Sequence, residues 1–258
     1  MLADKINDAP GIVALWSAPR SRSTAFFRTI AERGDFQMVH EPFSYLAESG
    51  KASVDERVVH SEPALLAALR RLARRGPVFF KDTTDERFPG LLADESFLAE
   101  DARHTFIIRH PRHTIASYHA LNPQVRRHQI GFEAQHEIYR AVWRLTGVRP
   151  VVIDGDELAL DPAAMVRAYC AELGIQHLPE ALHWASGNRK EWQPSERWHV
   201  DASASSGIHT RSNDYRLDVP NHPVLGAYLR HHLPFYEEMW AGRLVPSLRR
   251  DAVSDHLG

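Results

Sequence analysis

Five short, almost wholly apolar segments constrain the fold of this chain more than any other feature of its sequence. They lie at residues 12–16, 36–39, 78–80, 105–108 and 151–153. A strand that faces solvent on one side alternates apolar and polar residues, whereas strands covered on both faces are apolar nearly throughout. The segments therefore predict a parallel sheet, in which each strand is joined to the next by a crossover connection.

Longer amphipathic segments alternate with these strands and predict helices. The predicted helices cover residues 23–33, 63–75, 113–121, 132–146 and 162–173, and Gly174 ends the last of them. Strands that alternate with helices are typical of a three-layer α/β fold, with a central parallel sheet and right-handed crossovers.

The pattern weakens after residue 178. Residues 186–223 are rich in Ser, Asn, Asp, His and Pro, which predicts a long loop that serves as a lid or acceptor region. Two short C-terminal helices are predicted at residues 223–232 and 234–243. Since no internal repeat or linker is visible, we expect a single domain over residues 1–258.

Charge and hydropathy exclude several functions. The 31 Lys and Arg residues against 33 Asp and Glu residues give a formal net charge of −2, whereas a protein that coats nucleic acid usually has a basic face. No apolar stretch approaches the ~20 residues of a membrane span, and the first residues lack the pattern of a signal peptide. We therefore expect a cytoplasmic protein with neither a nucleic-acid nor a membrane partner.

Cysteine and histidine placement predicts no metal site. The single cysteine, Cys170, excludes an internal disulfide and a Cys-based zinc cluster. It shares helical spacing with Val166, Tyr169 and Leu173, so we predict a thiol packed in the core. The adjacent histidines at 231 and 232 lack a second ligand set at metal spacing.

The exit of the first strand predicts an anion site. In open parallel sheets, ligands bind at the carboxyl ends of the strands. Here Ser-Ala-Pro-Arg-Ser-Arg-Ser-Thr, residues 17–24, leads into a helix whose free N–H groups and positive end favour an anion. Ser23 and Thr24 can bond a phosphate oxygen or simply cap the helix, and Arg20 and Arg22 can neutralise charge or lie on the surface. The ATP-type motif GxxxxGK[ST] is absent.

The exit of the fourth strand predicts a second phosphate site. The segment Arg-His-Pro-Arg-His-Thr-Ile-Ala-Ser-Tyr, residues 109–118, begins as the strand ends and turns at Pro111 into a helix. A phosphate between Arg109 and Ser117 would explain a cation and a hydroxyl that lie eight residues apart across this corner.

These two segments resemble the sulfotransferases that use 3′-phosphoadenosine-5′-phosphosulfate (PAPS). APRSRST resembles their 5′-phosphosulfate loop, and RHPRHTIASY resembles their 3′-phosphate motif. Residues 154–174 are similar to the family's acidic strand exit, Asp-Pro helix start and Leu-Gly ending, so the resemblance spans residues 10–175. It implies a P-loop NTPase-like sheet and transfer of a sulfuryl group from PAPS to a hydroxyl, or as second choice an amine, of a small-molecule acceptor, leaving PAP.

The resemblance also implies which residues bind the nucleotide. Those at the 5′-phosphosulfate would be Arg20, Ser21, Ser23 and Thr24, and those at the 3′-phosphate would be Arg109 and Ser117. Residues 200–211 are similar to the family's lid, which makes Ser206, Gly207 and Arg211 further candidates; a solvated Ser-rich loop is the alternative.

Two positions depart from the family pattern. Arg22 stands where many members have Gly, and either adds a phosphate ligand or points toward the acceptor. Gly155 stands where several members have a Tyr near the adenine, so the adenine would be packed by other residues.

An acceptor hydroxyl must lose its proton during transfer, which requires a base within hydrogen-bond reach. Family members use a His after the third strand or a Glu after the second. Thr83 occupies the His position, whereas Glu41 follows the second strand, so Glu41 is the predicted base, with His40 and Asp82 as alternatives. Glu41 precedes a proline and can instead cap a turn.

Sulfuryl transfer depends mainly on positioning and charge stabilisation. Arg20 is predicted to act on the bridging oxygen and Lys81 to reach the site from the neighbouring strand end, with no Mg²⁺. Two alternatives remain open: a kinase-like phosphotransferase that uses ATP and Mg²⁺, and a nucleotide-binding module without turnover.

Several aromatic side chains either line an acceptor pocket or belong to the core, namely Phe43, Tyr45, Trp192, Trp198 and Tyr215.

Overall fold

The computed structural model describes residues 11–185, 187, 205–209 and 217–246. Its strands are β1 (Ile12–Ser17), β2 (Gln37–His40), β3 (Ala52–Val54), β4 (Arg57–Val59), β5 (Val78–Thr83), β6 (Arg103–Ile108) and β7 (Val151–Asp154). Five of them form a parallel sheet in the order β2-β5-β1-β6-β7, and β3 pairs with β4 as an antiparallel hairpin. The five predicted strands and their parallel arrangement are confirmed.

Helices cover both faces of the sheet. They are α1 (Ser23–Glu32), α2 (Pro42–Ser49), α3 (Glu62–Ala73), α4 (Pro89–Ala93), α5 (Pro111–Leu121), α6 (Phe132–Thr146), α7 (Gly155–Leu160), α8 (Pro162–Leu173) and α9 (Leu225–Ala241). None of the helices in the described ranges is long and apolar enough to cross a membrane.

Alternation along the strands divides the core into two layers. In β1, Val13 and Leu15 belong to one hydrophobic cluster, whereas Ala14 and Trp16 belong to the other. The first cluster is completed by α1 and α8, and the second by α3, α6 and α9. Cys170 lies fully buried in the first cluster, as its spacing predicts. Burial raises the pKa of this thiol. This is the predicted three-layer α/β architecture.

The C-terminal segment differs from the prediction. The two short helices expected at residues 223–232 and 234–243 are one helix, α9, which contains Pro234. A proline removes one helical hydrogen bond and usually ends or kinks a helix. Here α9 packs against α5 and α6, so tertiary contacts outweigh the local preference.

Two elements near the site were not predicted. Helix α2 begins directly after β2, and its first turn is capped by Asp82, a residue distant in sequence. The hairpin of β3 and β4 turns at Asp55 and Glu56, both with positive φ (52° and 61°). Such turns are normally recognised by Asn-Gly or Asp-Gly, which this chain lacks at that place.

Candidate active site

The loop between β1 and α1 has an unusual backbone. Arg20 and Arg22 both adopt left-handed conformations, with φ of 68°, which costs a residue with a side chain roughly 1–2 kcal/mol. Arg22 stands where many members of the family that this chain resembles have Gly. Glycine adopts a positive φ without steric cost, so this backbone conformation is a physical reason for a Gly at the position. Between the two arginines, the hydroxyl of Ser21 is buried and makes no hydrogen bond within the described structure. A buried donor of this kind fits an oxyanion ligand.

Two glycines let the backbone approach this loop closely. A Cβ on Gly155 would lie 2.5 Å from the carbonyl oxygen of Ser21, and a Cβ on Gly131 would lie 2.8 Å from Cδ of Pro19. Since real Cβ atoms do not come this close, neither position tolerates a side chain unless the loop moves. Gly155 therefore packs directly against the backbone of the β1–α1 loop. A Tyr at this position would clash with the carbonyl oxygen of Ser21.

The β1–α1 loop and the β6–α5 corner, which carry the two predicted phosphate motifs, are joined by hydrogen bonds. Arg20 donates from Nε to the hydroxyl of Ser117 at 2.9 Å. Arg22 and Arg109 both donate from Nε to Oδ1 of Asp156, at 3.3 and 2.8 Å. The guanidinium of Arg22 thus lies beside Arg109, on the side of the predicted 3′-phosphate.

Asp156 is the centre of this cluster. His113 Nδ1 lies 2.9 Å from Oδ2 of Asp156, and since a carboxylate only accepts, Nδ1 carries the proton. Burial would raise the pKa of Asp156, but Arg109, His113 and Arg22 outweigh it and hold the pKa below its usual value. Burial, together with the charge of Arg109, lowers the pKa of Arg22.

The short described segment at residues 205–209 lies next to this cluster. Trp184 N donates to Ser206 O at 3.2 Å, and Gly207 forms a β-bridge with His183. Arg22 Nη1 donates to His209 O at 3.4 Å. The segment that contains Ser206 and Gly207 therefore lies beside Arg22, and the binding role that the lid resemblance implies for these two residues stays a prediction. Several other candidates lie outside the described residues, namely Arg211, Trp192, Trp198 and Tyr215.

A second polar cluster follows β2 and β5. Glu41 has a left-handed backbone (φ 46°), and its amide donates to Lys81 O at 2.7 Å. The ammonium of Lys81 donates to Oε1 of Glu41. Lys81 is 1% exposed and Glu41 is 8% exposed, so the pair is largely shielded from water. The predicted base and the predicted catalytic lysine are therefore in direct contact.

The two alternative bases have other roles. Asp82 accepts hydrogen bonds from the amides of Phe43 (2.6 Å) and Ser44 (3.0 Å), which caps α2. Burial raises the pKa of Asp82 to about 8, although those hydrogen bonds oppose the shift. Burial lowers the pKa of His40 to about 4, so this imidazole is neutral at pH 7 and a weak base.

A sulfotransferase domain model matches residues 11–243. The chain belongs to the sulfotransferase domain family. Branched-chain-amino-acid aminotransferase-like protein 2 of Arabidopsis thaliana is 28% identical over 208 residues, which cover 76% of this chain and 36% of that protein. The chain thus spans little more than a third of the length of this curated relative.

Solved sulfotransferases of low identity align with much of this sulfotransferase-family chain. The sulfotransferase domain of the Synechococcus PCC 7002 olefin synthase is 15% identical, with 88% of this chain and 95% of that chain covered and a TM-score of 0.49. A sulfotransferase from Alicyclobacillus acidocaldarius is also 15% identical, with 81% and 100% covered and a TM-score of 0.47.

Sequence reasoning missed two residues of the site in this sulfotransferase domain. Asp156 lies within the acidic strand exit, but nothing local shows that it meets Arg22 and Arg109. Gln135 of α6 is fully buried and donates from Nε2 to the carbonyl oxygens of Trp16 and Ile107, both at 3.0 Å, which fastens the ends of β1 and β6. In the sequence, Gln135 is indicated only by being a polar amide side chain on the buried face of a predicted helix. Within the described ranges, no group of three or more potential ligands is arranged to hold a metal ion.

Proposed function

We propose that this chain is a PAPS-dependent sulfotransferase that transfers a sulfuryl group to the hydroxyl of a small-molecule acceptor, with Glu41 as the general base. The observation that carries the proposal is the position of two polar clusters at the carboxyl ends of the strands of one parallel sheet. One cluster, the nucleotide corner, comprises Arg20, Ser21, Arg22, Arg109, Ser117 and Asp156; the other, the base corner, comprises His40, Glu41, Lys81 and Asp82.

The nucleotide corner fits a ligand with two separate phosphate groups. The Ser21 hydroxyl, Ser23 and Thr24 at the start of α1, and Arg20 would bind the 5′ side. Arg109 and Ser117 would bind the 3′ side, and the position of Arg22 beside Arg109 favours a phosphate ligand over an acceptor contact. When bound, PAPS supplies a sulfuryl group on a phosphate leaving group.

In the base corner, Lys81 keeps a positive charge against the Glu41 carboxylate. A carboxylate in this setting can accept a hydroxyl proton within hydrogen-bond reach. Once Glu41 is protonated, Lys81 loses its counter-charge, and its ammonium becomes available to an anionic oxygen nearby. One residue thus takes up the proton while its partner stabilises the charge that develops beside it.

The contacts of the neighbouring groups favour Glu41 over the alternatives. The pKa of about 8 means that the Asp82 carboxyl already carries a proton at pH 7, so it has little capacity to accept another, and its oxygens are held by the first turn of α2. The pKa of about 4 for His40 makes its imidazole a weak proton acceptor. Glu41 pairs with the Lys81 ammonium and lies directly after the end of β2, which favours it as the base.

Labelled PAPS, offered with a panel of alcohols, phenols, sugars and amines, tests the proposal directly. Sulfated product from a hydroxyl acceptor is the expected result. Thermal unfolding with PAP against ATP plus Mg²⁺ separates nucleotide classes, since a ligand at a hundred times its Kd stabilises by about 2.7 kcal/mol. Preference for ATP would favour a kinase-like phosphotransferase, and PAP binding without turnover on any acceptor would favour a binding module.

A further inference from the structure

Asp156 occupies the position where an anionic ligand of the nucleotide corner would be expected. Its Oδ1 accepts from Arg22 at 3.3 Å and from Arg109 at 2.8 Å, and its Oδ2 accepts from His113 at 2.9 Å. Three donors from two segments, the β1–α1 loop and the β6–α5 corner, therefore converge on one carboxylate. This is the type of donor set that binds a phosphate in proteins.

The carboxylate also balances charge within the chain. Arg22 and Arg109 are mostly shielded from solvent, with side chains 19% and 15% exposed. Two guanidinium groups held on the same acceptor repel each other, and Asp156 offsets that repulsion. Asp156 itself is 32% exposed, so water can reach it and its partners can be exchanged.

A phosphate that binds Arg109 meets this negative charge. It must either displace Asp156 from the guanidinium or bind beside it, against like-charge repulsion. We propose that Asp156 is an internal competitor of the 3′-phosphate, a residue that weakens the binding of 3′-phosphorylated nucleotides and thereby favours their release. This inference rests on the proposed function, because it assumes that the nucleotide corner binds PAPS and PAP.

The inference predicts an effect confined to the 3′-phosphate. Asp156→Asn keeps an oxygen that accepts from the arginines but removes the charge. Calorimetric titration with PAP and with AMP, which lacks the 3′-phosphate, measures the effect. We expect the Kd of PAP to fall about tenfold, consistent with a like charge a few ångströms away in a partly exposed site, and the Kd of AMP to change less than about twofold.

Glu157→Gln is the matched control. Glu157 follows Asp156 on α7 and carries the same charge, but it pairs with Arg243 at 2.7 Å. Neutralising Glu157 should leave the Kd values of PAP and of AMP within about twofold of those of the unmodified protein. If Asp156→Asn fails to fold, as judged by thermal unfolding without ligand, Asp156→Ser replaces it with the same expectation for PAP and AMP.

Unchanged or weaker PAP binding by a folded Asp156 variant overturns the inference, since the carboxylate would then only position the arginines. Equal tightening of PAP and AMP also overturns it, because the effect would not concern the 3′-phosphate. If the unmodified protein does not bind PAP, the proposed function fails instead, and the two failures are distinguishable in the first titration.

Discussion

The nucleotide corner and the base corner both lie at the carboxyl ends of the sheet strands, but their charged side chains differ in burial and in pairing. In the nucleotide corner, arginines share a partly exposed carboxylate, Asp156. In the base corner, a single lysine is buried against Glu41. Partly exposed ion pairs contribute little to stability and exchange readily, whereas a buried charge that loses its partner is strongly destabilising. The ion pairs of the nucleotide corner can therefore exchange partners more readily than the buried charge pair of the base corner.

This difference predicts that variants of the two corners fail in different ways. Base-corner variants should lose turnover or stability and keep nucleotide binding. Nucleotide-corner variants should change nucleotide affinity, downward when a cation is removed and upward when Asp156 is neutralised, with little change in stability.

The largest effect is expected for Glu41→Gln. Loss of a general base lowers kcat by roughly 10²- to 10⁴-fold, while the Kd of PAP should stay within about threefold. Steady-state kinetics with labelled PAPS and titration with PAP measure the two quantities. Because the substitution also leaves Lys81 without its counter-charge, Glu41→Asp, which keeps the charge, should fold normally and still lose kcat. Glu48→Gln, on the exposed side of α2, is the control; normal turnover by Glu41→Gln would mean that another residue is the base.

Lys81→Met should destabilise the protein by about 3–5 kcal/mol, because it leaves the Glu41 carboxylate buried without a partner. Urea unfolding measures the change, with Lys51→Met at an exposed position as the control. Lys81→Arg keeps the charge but must place a larger group in an enclosed position, which typically costs 1–3 kcal/mol. An unchanged urea midpoint in Lys81→Met would show that the base corner is not a fixed charge pair.

Arg109→Ala should weaken PAP binding by roughly 10- to 100-fold, the usual loss for a charge-assisted hydrogen bond to an anion. AMP binding should change much less, and the urea midpoint should barely move because the pair with Asp156 is partly exposed. Arg112→Ala, an exposed arginine of the same corner, is the control. Equal losses for PAP and AMP would place Arg109 outside the 3′-phosphate site.

The smallest effect is expected for Arg22→Gly. Glycine relieves the left-handed strain of roughly 1–2 kcal/mol but loses more chain entropy on folding, about 0.5–1 kcal/mol, so a net stabilisation of up to about 1.5 kcal/mol should appear in urea unfolding. PAP should bind several-fold more weakly because a cation is lost. Arg22→Ala keeps the strain and loses the cation, so it should weaken binding equally without the gain in stability. Tighter PAP binding in Arg22→Gly would contradict the placement of Arg22 beside the phosphate.

The sequence was informative where structure is determined locally. Each apolar run became a strand because burial on both faces requires apolar residues throughout, and the Asp-Pro start of α8 agrees with its capping by Asp161. Arg20, Arg22 and Arg109 were predicted as anion ligands because each follows a strand and precedes a helix N-terminus, where a bound anion is favoured.

The remaining features depend on contacts between distant residues. Helix α2 is stabilised by Asp82 from β5, and no local pattern reveals a cap that comes from another strand. The role of Asp156 depends on three partners from two other segments, residues 17–24 and 109–118. The sequence leaves two directions open for the Arg22 side chain, and its hydrogen bonds to Asp156 and to His209 O fix which one it takes.

The contact between Gly155 and Ser21 limits how nucleotide preference can be redesigned in this domain. An aromatic side chain grafted at Gly155 to hold a base would meet the carbonyl oxygen of Ser21 before it reached any ligand. The graft would therefore deform the β1–α1 loop rather than add a stacking surface. A redesign for a different nucleobase must therefore change residues of the surrounding helices. The β1–α1 loop must keep its sequence, as must Gly131 and Gly155, which pack against it.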